Sequence, residues 1–109
     1  MAKVIPIEDL ALSQRAALFE GKDDIGVSIF VTQYDEGEGP DLHTHPYAEA
    51  FVVQSGEARF TSGDEQVEAT AGHIVVVPPE TVHGFKSTSS EKLRVVSVHP
   101  NPTVIQTDL

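Results

Sequence analysis

The sequence predicts an all-β fold, a sandwich or a barrel, on three observations. Short runs rich in Val, Ile, Phe, Thr and Tyr recur along the chain; clusters of Gly, Pro, Asp and Ser separate them; and residues 66–70 alternate, with Val67 and Ala69 on one side. Runs of this length bounded by turn residues read as strands, and many in succession read as a sandwich or barrel.

The N-terminal third admits two readings. Residues 10–20 contain good helix formers, with Ser13 available as an N-cap and Gly21 as a terminator. Residues 17–20 serve equally well as a strand, so there is room for at most one short N-terminal helix. Residues 4–7 are a further short apolar strand candidate. From residue 26 the pattern is clearer. Residues 26–34 form a β-branched and aromatic strand, and 35–41 a turn-prone loop. Strands follow at 48–54 and 57–61, then a hairpin turn at Ser62-Gly63-Asp64-Glu65 leads into 66–70. Ala71-Gly72 turns the chain into 73–77, Pro78-Pro79-Glu80 breaks that strand, and 82–87 and 93–99 complete the series before Pro100 and Pro102. No repeat or linker divides residues 1–109, so one domain is expected.

Bulk properties narrow the function. With 109 residues and 39% apolar composition, the chain can build one core. The longest apolar run, 74–79, falls well short of the roughly 20 residues of a membrane span. The N-terminus lacks the apolar core of a signal peptide, so the expectation is a soluble, cytoplasmic protein. There is no cysteine, which excludes disulfides, thiolate metal sites and a cysteine nucleophile. A formal net charge of -10, with only seven Lys and Arg, argues against nucleic acid and anionic membranes as partners. It leaves open a small-molecule ligand.

One group of residues carries chemistry. Residues two apart on a strand point to the same face, so His43 and His45 project side by side. Glu49 shares their parity, and Pro46 between them marks a bend rather than a central strand position. His83, at the start of the strand after the Pro-Pro turn, supplies a fourth donor. Imidazoles with a carboxylate suit one divalent transition metal (Fe, Mn, Ni, Zn, Co or Cu). An octahedral ion would keep two positions open, whereas a tetrahedral zinc would be saturated.

Here the sequence resembles the cupin superfamily, whose first motif runs glycine, five residues, His-x-His, three or four residues, Glu, six residues, glycine. Gly37, His43-Thr44-His45, Glu49 and Gly56 match it at every spacing. The second motif is met by Gly72, Pro78-Pro79 and His83, with Glu80 in place of the usual glycine and Ser87 in place of the usual asparagine. The resemblance covers about 26–99 and implies a double-stranded β-helix, or jelly-roll barrel, with the metal on His43, His45, Glu49 and His83. It also implies a homodimer, commonly with N-terminal strands packed across subunits. With Glu80 in the turn, a type I turn led by Pro79 is expected rather than a type II turn with positive φ.

The remaining candidates each have a structural alternative. Phe51, Val53 and Phe85 share the parity of the ligands and are candidate apolar walls of a substrate pocket, or simply core. Tyr47, Gln33, Gln54 and Arg59 are polar pocket candidates. Arg59 would clamp a carboxylate if it faced inward, but a solvent-facing direction weighs more. His73 is read as structural. His99 is read as a surface residue at the end of the last strand, though within reach of the barrel mouth. Apart from Glu49, the acidic residues cluster in loops, so Glu49 is the one candidate catalytic base.

A metal-dependent enzyme acting on a small organic molecule leads the readings, with a dioxygenase-type oxidoreductase favoured. A metal-assisted isomerase, lyase or cyclase is the alternative, followed by a non-catalytic metabolite or sugar binder. A storage role ranks last, because storage cupins are typically two-domain and secreted.

Overall fold

The computed structural model describes residues 1–109. The ambiguity of the N-terminal third resolves toward a strand. Residues 4–6 form no strand, Ile7–Leu10 makes one turn of 3₁₀ helix, and β1 spans Ala16–Glu20. Ser13 does not cap a helix; its hydroxyl accepts the backbone N–H of Arg15 as the chain turns into β1. The helical propensity of 10–20 is overridden because β1 completes a ladder with the next strand, pairing Ala16 with Thr32 through Glu20 with Ser28. Propensity is a weak prior against tertiary pairing.

Nine further strands follow: β2 (Ser28–Tyr34), β3 (His43–Thr44), β4 (Glu49–Ser55), β5 (Glu57–Ser62), β6 (Glu65–Thr70), β7 (Ile74–Val77), β8 (His83–Ser87), β9 (Leu93–His99) and β10 (Thr107–Asp108). They form two five-stranded antiparallel sheets, ordered β1-β2-β9-β4-β7 and β10-β3-β8-β5-β6. The sheets face each other as a jelly-roll barrel. No helix is long and apolar enough to cross a membrane.

Alternation places one face of the longer strands inside. Phe51, Val53, Ala58, Phe60, Ala69, Val77, Phe85, Leu93 and Val95 make the core cluster. At about 25 cal/mol per Å² of apolar surface removed from water, this burial is the main driving force of the fold. Val67, on the same side as Ala69, stays partly open because β6 is an edge strand.

Two backbone features position the site. A Cβ on Gly39 would lie 2.0 Å from the carbonyl oxygen of Phe85, so only glycine lets the 35–41 loop cross β8 this closely. That crossing sets Pro40 against the barrel mouth and brings Asp41 to His43. The second feature corrects an expectation. Glu80 has φ 62°, so the turn takes the left-handed conformation despite the missing glycine, and a type I turn is ruled out. The Glu80 N–H donates to the carbonyl of His45 at 2.8 Å, and this bond between two site-bearing segments holds the conformation.

Candidate metal centre

Three strands and one bend bring the donors together. β3 carries His43, which pairs in register with His83 at the head of β8. The chain leaves β3 at Thr44, presents His45, bends at Pro46 and enters β4 at Glu49. All four residues are buried, and one ligand atom from each lies within 4.8 Å of every other. His83 Nε2 is 3.0 Å and His45 Nε2 3.1 Å from the same carboxylate oxygen, Oε1 of Glu49.

The far side of each imidazole is tied to backbone. Nδ1 of His43 donates to the Asp41 carbonyl at 2.6 Å, Nδ1 of His45 to that of Ile105 at 2.7 Å, and Nδ1 of His83 to that of Thr81 at 2.8 Å. A carbonyl can only accept, so each Nδ1 carries a proton, and each Nε2 is the nitrogen turned inward and available to an ion once it is unprotonated. Metal-bound histidines are held in this way, with the second nitrogen donating to a carbonyl or carboxylate. Three lone pairs and an ionised carboxylate in one buried space repel one another unless a proton or cation lies among them. Oε1 of Glu49 forms a hydrogen bond with His83 Nε2, whereas His45 Nε2 has no aligned partner despite its proximity to the same oxygen. The donor set fits a divalent transition metal ion.

The electrostatics agree with that fit. Burial pushes the Glu49 carboxyl up, but hydrogen bonding from His45, His83 and His99 outweighs this and holds it far below the usual carboxylate range, as expected where a proton stands in for a cation among these groups. Burial pulls the His43 imidazole below its ordinary value, which keeps it neutral and able to ligate. For His45 burial also acts downward, yet Glu49 and the Ile105 carbonyl raise it overall.

The cluster opens into a cavity of about 180 Å³ walled by Phe30, Tyr34, Phe51 and Phe85, with Thr32, Ser97 and Gln106 as polar points. Glu49 is the one carboxylate in the wall, and no Lys or Arg contributes. Among the other pocket candidates, Val53 lies deeper in the dry core and does not reach the cavity. Arg59 is exposed and pairs with Glu68 at 2.6 Å, so it does not point into the barrel. Gln54 and Gln33 are exposed on the outer face of the first sheet. Tyr47 stands behind the site, stacked on His45 with ring planes 4° apart.

His99 is the residue that sequence reasoning misplaced. It is 1% exposed, and its Nε2 lies 2.9 Å from Glu49 Oε2. The available signal was its parity with Leu93, Val95 and Ser97, the inward face of β9. Val96 and Val98 make the opposite face apolar as well, so alternation could not tell inside from outside. His73, by contrast, is exposed and accepts the Thr70 N–H across a turn.

Comparison with known proteins places this geometry in context. A family model described as "Cupin domain" matches residues 30–99. No curated protein matches in sequence. Among solved structures, the Lactobacillus farciminis oxalate decarboxylase in its formate complex superposes with a TM-score of 0.81 at 20% identity, over 94% of this chain and 34% of that one. A variant of the Bacillus subtilis oxalate decarboxylase gives 0.79 at 18%, over 89% and 29%. The chain thus spans about a third of the length of these enzymes. A Klebsiella pneumoniae protein with a double-stranded β-helix domain matches along nearly its whole length, with a TM-score of 0.78, 19% identity, and coverage of 98% and 96%.

Proposed function

The chain belongs to the cupin family, and on that premise we propose that it is a metal-dependent enzyme acting on a small organic molecule, with dioxygenase-type oxidoreduction the favoured chemistry. One fold hosts many reactions, so the reading rests on the site. The observation that carries it is the convergence of four buried donors, His43, His45, Glu49 and His83, beside a mostly apolar cavity that His43, His45 and Glu49 line. His43, His45, Glu49 and His83 would hold the ion. When bound, a divalent transition metal would supply Lewis acidity and, for Fe, Mn, Ni, Co or Cu, access to redox chemistry with dioxygen.

The residues of the chain do the rest. Phe30, Phe51 and Phe85 exclude water and favour a ligand with an apolar body. Glu49 is the group placed to take a proton from such a ligand. With no arginine or lysine in the wall, an enol, catechol or 1,2-dicarbonyl compound suits the cavity better than a dicarboxylate. Oxalate, the substrate named for the decarboxylase neighbours, is therefore not carried over to this chain. Manganese, named for the centres of the Bacillus subtilis enzyme, is one candidate ion.

The test is oxygen uptake by protein loaded in turn with Fe(II), Mn(II) and Ni(II), against a panel of small enols and catechols. Uptake that disappears in Glu49→Gln supports the reading. Substrate turnover without oxygen uptake would transfer it to the isomerase or lyase alternative.

A homodimer in the cytoplasm is part of the same proposal. Its support is the outer face of the first sheet, where Ile74 and Val76 are 66% and 64% exposed beside Val52, Val96 and Val98. Light scattering at micromolar concentration should give twice the chain mass, and a monomer there would count against it.

A further inference from the structure

We propose that His99 is a positioning residue for the Glu49 carboxylate, held by Tyr47 and Ile105 in the tautomer opposite to that of the three cluster histidines. The inference rests on reading His43, His45, Glu49 and His83 as the metal ligands.

Proton bookkeeping around Tyr47 carries the argument. The Tyr47 hydroxyl oxygen accepts the backbone N–H of Ile105 at 3.1 Å and lies 2.7 Å from His99 Nδ1. Its single proton goes to the nearby acceptor, His99 Nδ1, which leaves the His99 proton on Nε2. That nitrogen sits 2.9 Å from Glu49 Oε2 and has no other partner. A bare lone pair at this distance from an ionised carboxylate would be repelled, whereas an N–H is attracted, even though it runs obliquely to the oxygen. His99 therefore faces Glu49 Oε2 as a donor held by a neighbouring hydroxyl, whereas the Nδ1 protons of His43, His45 and His83 are taken up by backbone carbonyls, which leaves their Nε2 atoms, His83's in contact with Oε1, to be turned over to an ion.

The two oxygens of Glu49 are thereby divided. Oε1 faces the cluster, near His45 and His83, and Oε2 is engaged by His99. Such a carboxylate presents one oxygen to an ion instead of two. Hydrogen bonding of a ligating carboxylate by a second layer of groups is a general means of orienting it.

Ile105 serves both histidine types. Its carbonyl accepts Nδ1–H of His45, and its N–H fixes the hydroxyl that sets His99. The residue lies in the C-terminal tail, beyond the segment 30–99 that matches the family model. β10 ties this tail to β3 by pairing Thr107 with Thr44 and Asp108 with His43. The tail is thus a working part of the site.

The direct test is a long-range ¹H–¹⁵N spectrum of the full chain at pH 8, without metal and with one equivalent of Zn(II). His99 should be the Nε2–H tautomer in both states, and the three cluster histidines Nδ1–H. An Nδ1–H tautomer for His99, or a zinc-induced shift of its Nε2 matching those of the cluster, would overturn the proposal. Variants add a second readout, the Mn(II) affinity measured from the free-ion electron paramagnetic resonance signal. Tyr47→Phe and His99→Phe should each weaken binding about 10–100-fold, the usual effect of losing an outer partner. His99→Gln, which keeps an N–H near the place of Nε2, should restore most of it. Equal losses in the Gln and Phe variants would mean that His99 acts by packing alone. If the unaltered chain binds neither ion, the metal reading fails, while the metal-free spectrum still decides the tautomer of His99.

Discussion

The barrel interior differs between its two ends although the same strands build both. Along β4 the inward side chains run Glu49, Phe51, Val53, and along β9 they run Leu93, Val95, Ser97, His99. At one end Val53, Ala58, Phe60, Ala69, Leu93 and Val95 pack together, with Ser87 opposite Ala58 as a buried hydroxyl beside them. At the other, four histidines surround a buried carboxylate. The same strands run through both, with one register shift between Val53 and Ser55, so the change comes mainly from side chains. Burying a charge and three converging lone pairs is unfavourable unless something compensates for it. The apolar end supplies the stability that the polar end spends on a poised site, and the two ends should respond to mutation in different currencies.

The largest expected effect is at the polar end. Glu49→Gln keeps the volume and removes the charge, so metal affinity should fall by more than the ~100-fold typical of outer partners. Thermal unfolding of the metal-free variant should stay close to that of the unaltered chain. A variant that instead unfolds while retaining metal affinity would erase the distinction between the ends.

Next in size is the converse change. Leu93 is fully buried at the apolar end, and Leu93→Ala should cost about 2–5 kcal/mol in denaturant unfolding. The folded fraction should still bind one metal ion per chain. Loss of stoichiometry in protein that circular dichroism reports as folded would show that the two ends are coupled.

The smallest effect lies outside both ends and calibrates them. Arg15 pairs with Glu38 on the surface and, with the Asp35 backbone N–H, lowers the Glu38 carboxyl to about 2. A depressed carboxyl contributes stability above its ordinary value of 4.5 and loses it as pH falls from there toward 2. Arg15→Met should therefore lower the melting temperature slightly at pH 6, with the gap closing on acidification. Exposed pairs contribute little. A gap that widens in acid would reverse the sign of the argument.

How much of this was legible in the sequence follows the same division. The positions of His43, His45 and Glu49 could be read because parity and a bend act locally. The fold class could be read because turn residues punctuate the strands. What escaped depended on pairing partners far along the chain. Val96 and Val98 hid the inward face of β9, and with it His99. The direction of Arg59 depended on hairpin register, which its pairing opposite Glu68 fixes outward. β1 competes with a helix in local propensity and is settled by its ladder with β2. Glu80 adopts a conformation its residue type disfavours because His45, 35 residues earlier, accepts its N–H. The C-terminal tail gave no sequence signal, since Ile105 acts through its backbone.

The central claim is tested most directly by an anomalous difference map from crystals of the chain soaked in Mn(II). The account predicts one strong peak per chain, within coordination distance of Nε2 of His43, His45 and His83 and of Oε1 of Glu49, with His99 outside the coordination shell. Peaks confined to the surface acidic loops, or none at all, would contradict it.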